Sequence, residues 1–144
     1  MTAEPNLGLL CFFPYRALEG RVLDALAEAG YDDLTVAQAR IAARVGEHGT
    51  RLTELAAQAQ VTKQSAGFLV DQLERAGYVR RVPDPTDGRA RLVEVAERGL
   101  AAAVVAGAVV AEVEAEWAAH LGAEPMAALR SALLRLREVT DPFR

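Results

Sequence analysis

Residues 53–73 read Thr53-Glu54-Leu55-Ala56-Ala57-Gln58-Ala59-Gln60-Val61-Thr62-Lys63-Gln64-Ser65-Ala66-Gly67-Phe68-Leu69-Val70-Asp71-Gln72-Leu73. Two hydroxyl residues stand where helices can begin. A side-chain oxygen just before a first turn accepts a backbone N–H that the helix leaves free. Thr53 is therefore expected to cap a short helix over 54–58, and Thr62 a longer one over 63–76. Only Ala59-Gln60-Val61 separates them. In the longer helix Ala66, Leu69, Val70 and Leu73 form one apolar stripe, while Lys63, Gln64, Gly67, Phe68 and Asp71 fall on other faces. Two short helices joined this closely predict a helix-turn-helix, whose second helix enters the major groove of DNA.

Downstream of Gly77 the periodicity changes to that of strands, over 78–82 and 89–95. Between them Pro83-Asp84-Pro85-Thr86-Asp87-Gly88 is dense in turn-forming residues and predicts a hairpin with a long tip. A hairpin directly behind a helix-turn-helix is a wing. Upstream, Leu18, Val22, Leu23 and Leu26 continue a helix opened by Leu9, Leu10, Phe12 and Phe13. Pro14 must start or kink that helix, and Gly30 should stop it. Thr35 is the candidate cap of a helix over 36–45. A long Ala- and Val-rich helix follows the hairpin over 97–120. A last helix, 124–139, carries Met126, Leu129, Leu133 and Leu136 at heptad-like spacing.

The expected fold is mainly α with a small β-hairpin wing, in a single domain over 1–144. A winged helix-turn-helix occupies 34–96, and dimerisation helices come from both ends, 1–30 and 97–144. Phe12, Phe13, Val104, Val105, Val109, Val110, Leu133 and Leu136 make those end helices too apolar for a monomer's exterior, so a second copy is expected.

Composition agrees with a globular chain: 144 residues, 51% hydrophobic and 25% charged. No leader-like segment opens the chain, and the longest uncharged run, 99–111, is shorter than the roughly 20 residues of a membrane span. A soluble cytoplasmic protein with no membrane partner is expected. Cys11 is the only cysteine, so no intrachain disulfide and no cysteine-based metal site is expected, nor any cofactor.

The net charge of −4 does not favour a nucleic-acid partner, but counterion release depends on local charge. Within 75–91, Arg75, Arg80, Arg81, Arg89 and Arg91 outnumber Asp84 and Asp87. Arg89 follows the hairpin tip, where a guanidinium can reach a minor groove. Asp87 is expected to orient it through a bidentate pair. Thr62, Lys63, Gln64 and Ser65 would sit in the first turn of the recognition helix, whose free N–H groups favour phosphate. Gln64 can read adenine, and the Phe68 ring can touch a thymine methyl. The expected DNA contacts are thus Thr53, Thr62, Lys63, Gln64, Ser65, Gly67, Phe68, Arg80, Arg81, Asp87, Arg89 and Arg91.

The runs Leu52-Thr53-Glu54-Leu55-Ala56, Val61 through Val79, and Asp84-Pro85-Thr86-Asp87-Gly88-Arg89-Ala90, closing on Glu97-Arg98-Gly99, resemble the MarR family of bacterial transcriptional regulators. The resemblance implies a winged helix-turn-helix homodimer straddling a pseudo-palindromic double-stranded operator. It also implies a repressor that lets go when a small aromatic or phenolic effector binds between the dimerisation and winged regions. On the helices that would line such a site stand Phe13, Tyr15, Arg16 and Arg40. Two positions depart from the family pattern: Phe68, where many members carry a polar residue, and Ala96, where Thr is common.

Leu10-Cys11-Phe12-Phe13-Pro14-Tyr15 is similar to the first helix of the family's organic-hydroperoxide-sensing branch. That likeness implies an alternative, a repressor switched by oxidation of Cys11, with Tyr15 on the same face donating to the thiolate. The branch's other tyrosines are replaced by Ala25 and Val36. A further alternative is a winged helix used only for protein contact, against which the basic wing speaks. An enzyme is not expected. Ser65, Ser131, His48 and His120 form no catalytic motif, and the chain has no HExxH, phosphate loop or dinucleotide fingerprint.

Overall fold

The computed structural model describes residues 3–143. Eight elements follow in order: α1 (Leu7–Glu28), α2 (Val36–Ala42), α3 (Leu52–Ala59), α4 (Lys63–Arg75), β1 (Val79–Asp84), β2 (Asp87–Val95), α5 (Glu97–Leu121) and α6 (Ala123–Thr140). The helices begin where local chemistry can satisfy their free N–H groups. Asn6 accepts from Leu9 N–H at 2.9 Å. Thr35 and Gln38 form a reciprocal capping box, at 3.1 and 3.0 Å. Thr62 accepts from Ser65 N–H at 3.0 Å, as expected.

Thr53 does not cap α3. The helix starts at Leu52, two residues earlier than expected, with Arg51 at the cap position and no side-chain cap bond. The Thr50 N–H and C=O both pair with Val93 of β2 at 2.9 Å, which fixes the chain just upstream. With the entry set from outside, Thr53 is carried into the first turn. At the other end Gln60 turns the chain with a left-handed φ of 57° before Thr62 opens α4. α2 is shorter than expected and ends at Ala42. Pro14 lies inside α1 rather than in its first turn.

The hairpin tip is also shorter than its composition suggested. β1 runs to Asp84 and β2 begins at Asp87, leaving a two-residue turn, Pro85-Thr86. The register moves from Pro83 opposite Arg91 to Asp84 opposite Asp87, so the extra residues 88–90 bulge from β2. The Asp84 carboxylate closes the turn by accepting from the Thr86 N–H at 2.9 Å and the Thr86 hydroxyl at 2.8 Å.

The core lies where the winged region folds on itself. Ile41 of α2, Leu55 of α3, and Ala66, Val70 and Leu73 of α4 are fully buried with Tyr78, Val79 and Val93. Burying each large aliphatic side chain contributes roughly 1.5–3 kcal/mol. Gln38 bridges α2 to α4 through the Gln72 side chain at 3.0 Å. α5 packs on α1, and Arg21 of α1 grips Glu116 of α5 at 2.8 and 3.1 Å. Gly99 lets α5 start against the hairpin base, since a Cβ there would stand 2.2 Å from the Tyr78 carbonyl oxygen. No residue of α6 is buried, although the helix carries Leu129, Leu133, Leu134, Leu136 and Val139.

Candidate nucleic-acid interface

α4 shows two unlike faces. Ala66, Val70 and Leu73 are shut away, while Lys63, Gln64, Ser65 and Phe68 point outward. Phe68 is 60% exposed, a large apolar surface for one side chain on an otherwise polar face. Ser65 is tied to the cap, receiving the Thr62 hydroxyl proton at 2.9 Å. Gly67 faces Leu52 of α3, with room for a Cβ at 3.6 Å. Beside the start of α4 lies a groove of about 330 Å³. It brings together Arg51 and Thr53 of the α3 start, Lys63 of α4, and Arg81 and Arg91 of the hairpin. Among the expected contacts the fold thus gathers Thr53, Lys63, Arg81 and Arg91 on one surface.

The hairpin's arginines are not equivalent. Arg81 is 19% exposed at its side chain and is pulled back onto α4 by Asp71 at 2.8 Å and Glu74 at 3.0 Å. Arg80 pairs across the hairpin with Glu94 at 3.2 Å. Among the described residues no ion pair occupies Lys63, Arg89 or Arg91. Asp87 does not hold the Arg89 guanidinium as expected. Its carboxylate accepts the Arg89 backbone N–H at 3.1 Å and lies 3.9 Å from Arg51. The tight turn brings the Asp87 oxygen onto the main chain and leaves the Arg89 side chain free.

Arg51 was not legible as a site residue. Its Nε and Nη2 donate to one Asp84 oxygen at 3.0 and 2.8 Å. Asp84 is 6% exposed. The Thr86 N–H and hydroxyl, and then Arg51, pull its carboxyl down to about 2.

A second cluster joins the winged region to α5. Arg98 donates to Asp33 at 2.8 and 3.2 Å and to the Ala76 carbonyl at 2.8 Å. It also stacks on the Tyr78 ring. The Tyr78 hydroxyl donates to the same Asp33 carboxylate. Burial and then the hydrogen bond to Asp33 push the Tyr78 phenol up, while the Tyr78 and Arg98 donors hold Asp33 below its ordinary range.

Above this cluster, α1, α2, the hairpin base and α5 enclose a cavity of about 210 Å³. Val22, Leu26, Leu34, Ala42, Tyr78, Val95 and Ala102 supply an apolar wall. None of the four expected effector residues lines it. Arg40 forms a two-bond pair with Glu19 at 2.9 Å, which holds the Glu19 carboxyl below its usual range. The Arg16 guanidinium lies 5.5 and 5.7 Å from the Phe12 and Phe13 rings. Tyr15 donates to Glu19 at 3.0 Å, four residues on, rather than to Cys11. A carboxylate one turn away is the stronger acceptor. Cys11 is exposed on α1. Among the described residues no helix is long and apolar enough to cross a membrane, and no cluster of side chains could hold a metal ion.

Residues 32–90 match the family model of the MarR family. No curated protein matches the chain. Among solved structures, the transcriptional regulator PA4135 is 26% identical, with a TM-score of 0.72 over 95% of this chain and 99% of that one. The Mycobacterium tuberculosis MarR family protein Rv2887, in complex with salicylic acid, is 29% identical, with a TM-score of 0.67 over 94% and 99%. CouR from Rhodococcus jostii RHA1, bound to p-coumaroyl-CoA, is 23% identical and shares the fold, with a TM-score of 0.71 over 96% and 94%.

Proposed function

We propose, from the premise that this chain carries the winged helix-turn-helix of the MarR family of transcriptional regulators, that it acts as a sequence-specific dimeric repressor. The observation that carries the reading is the outward face of α4. It presents Lys63, Gln64 and Phe68 beside a groove that also holds Arg91, while Arg89, near the hairpin tip, has no ion pair among the described residues. A first helical turn with free N–H groups and a lysine suits a phosphate. The residues behind it suit base edges, Gln64 an adenine and Phe68 a thymine methyl. Arg89 suits the adjoining minor groove. Thr62 and Ser65 support the turn from within. Arg80, Arg81 and Asp87 act on the hairpin's shape rather than on the duplex.

A palindromic operator needs two such units. The exposed leucines of α6, with Phe12 and Phe13 of α1 and Val104 of α5 (75% exposed), favour a homodimer built from both ends of the chain. The cavity under α1 and α5 favours release by a small aromatic or phenolic effector. Its wall includes Tyr78, whose N–H bonds to Leu73 of α4, so a ligand there presses on the recognition helix. A ligand releases DNA only to the extent that it binds the non-binding arrangement better.

Electrophoretic mobility shift with the protein's own upstream DNA tests the reading. The expected result is a specific shift that weakens steeply between low and moderate salt. No shift on any promoter-proximal fragment at any salt would overturn it in favour of a protein-binding winged helix.

A further inference from the structure

We propose that Arg51 is a positioning residue for the wing, and that its charge neutralises Asp84 rather than a DNA phosphate. The inference rests on the DNA-binding reading above. Arg51 stands at the entrance of α3, beside the basic groove, with a partly exposed guanidinium. By location alone it would be counted with Lys63 and Arg91 as a phosphate contact.

The hydrogen bonds assign it otherwise. Both Nε and Nη2 converge on Asp84 Oδ2, at 3.0 and 2.8 Å. Asp84 Oδ1 is taken by the Thr86 N–H and hydroxyl. The carboxylate thus joins the first helix of the helix-turn-helix to the two-residue turn of the wing, across 33 positions of sequence. Asp87 adds a second negative charge 3.9 Å from Arg51. A guanidinium flanked by two carboxylates has little net field left for a phosphate. Moving it to DNA would strip Asp84, buried beneath it, of the only cationic partner it has among the described residues, which is costly.

The other end of the hairpin is held too, by Arg81 on Asp71 and Glu74 of α4. Both anchors bear on β1, one near the base of the hairpin and one at its tip, and so limit how far the hairpin can swing. The orientation of the bulge at 88–90, and of the Arg89 side chain it carries, is therefore set before DNA arrives. Presetting a contact spares the ordering cost at binding.

The experiment measures affinity against salt concentration for the full-length protein on a duplex recovered by selection from a random 30-base-pair library. Wild type, Arg51→Met, Arg51→Lys, Asp84→Asn and Arg89→Ala are compared. Arg51→Met is expected to bind about tenfold more weakly, the loss expected for a charge-assisted hydrogen bond, and to keep the wild-type salt slope. Arg51→Lys, which can still reach Asp84, should recover most of the affinity. Asp84→Asn should weaken binding like Arg51→Met, although it removes a negative charge from the interface. Arg89→Ala should instead flatten the slope by about 0.9, the value of one lost cationic contact with the duplex. Amide exchange at Thr86 should quicken in Arg51→Met while that at Val70 stays slow, which separates a loosened wing from an unfolded domain.

A slope reduced by about 0.9 in Arg51→Met would make Arg51 a phosphate contact and overturn the proposal. So would wild-type affinity in Arg51→Met, or tighter binding by Asp84→Asn. Failure of wild type to recover any duplex would refute the DNA-binding reading itself, before the variants are compared.

Discussion

The Arg98 guanidinium lies 4.3 Å from the centre of the Tyr78 ring, and both side chains reach the same Asp33 carboxylate. Asp33 belongs to the α1–α2 connection, Tyr78 to the entrance of the hairpin, and Arg98 to the first turn of α5. Three segments that link the terminal helices to the winged region are therefore tied at one point. Removing the Tyr78 hydroxyl by Tyr78→Phe keeps the ring and the cation–π contact, and should cost about 1 kcal/mol in urea unfolding. Arg98→Ala should cost more, because the ring contact, the Ala76 carbonyl bond and the Asp33 pair go together. An Arg98→Ala protein as stable as Tyr78→Phe would show that the pair contributes nothing beyond the phenol.

Acid should loosen the wing before it unfolds the core. In the unfolded chain an Asp titrates near about 3.9, whereas Asp84 is held at about 2. A carboxyl with a lowered folded value stabilises the fold above its unfolded value and loses that contribution as pH falls. The contribution of Asp84 should be complete above pH about 4 and decline towards pH 2. Thermal melts between pH 5 and 2 should show a shallower acid limb in Asp84→Asn than in wild type. Parallel limbs in the two proteins would remove Asp84 from the acid response.

On the duplex, Arg89→Ala and Gln64→Ala should fail differently. Losing a phosphate or groove contact weakens binding to all sequences, so Arg89→Ala should lower affinity for specific and scrambled duplexes alike. Losing a base contact relaxes preference at one position, where Gln64→Ala should forfeit roughly 1–3 kcal/mol of discrimination. Competition binding against single-substitution duplexes checks both, and equal loss on every sequence from Gln64→Ala would remove its base-reading role.

The uncovered leucines of α6 should report on assembly. Leu133→Glu places a charge on a face that, in a homodimer, has no water. Sedimentation velocity should then show a monomer where wild type sediments as a dimer, with helical content retained because no residue of α6 is fully buried within its own chain. A wild type that sediments as a monomer would end the two-fold model.

Much of the fold could be read from neighbours in sequence. The Thr35 and Thr62 caps, the stripe of Ala66, Val70 and Leu73, and the switch to strands after Gly77 all stand in the structure. Each depends on bonds or burial within a few residues, so local chemistry fixes it. The exceptions were set from outside. Thr53 looks like a cap, but the Thr50–Val93 pairing sets the helix start upstream of it. The hairpin tip looks long, but Asp84 and Thr86 tighten it to two residues.

Sequence by itself determined the order of elements, the polar and apolar faces of α4, and the excess of arginine around the hairpin. The tertiary structure alone decided which of those arginines remain free. Arg81 is spent on α4 and Arg80 on Glu94, while Arg75, Arg89 and Arg91 are left without ion pairs among the described residues. The reason is range. A helix or a turn forms from groups a few positions apart, whereas an ion pair forms between whichever charges the packed elements bring within about 4 Å, and no periodicity in the chain records that distance.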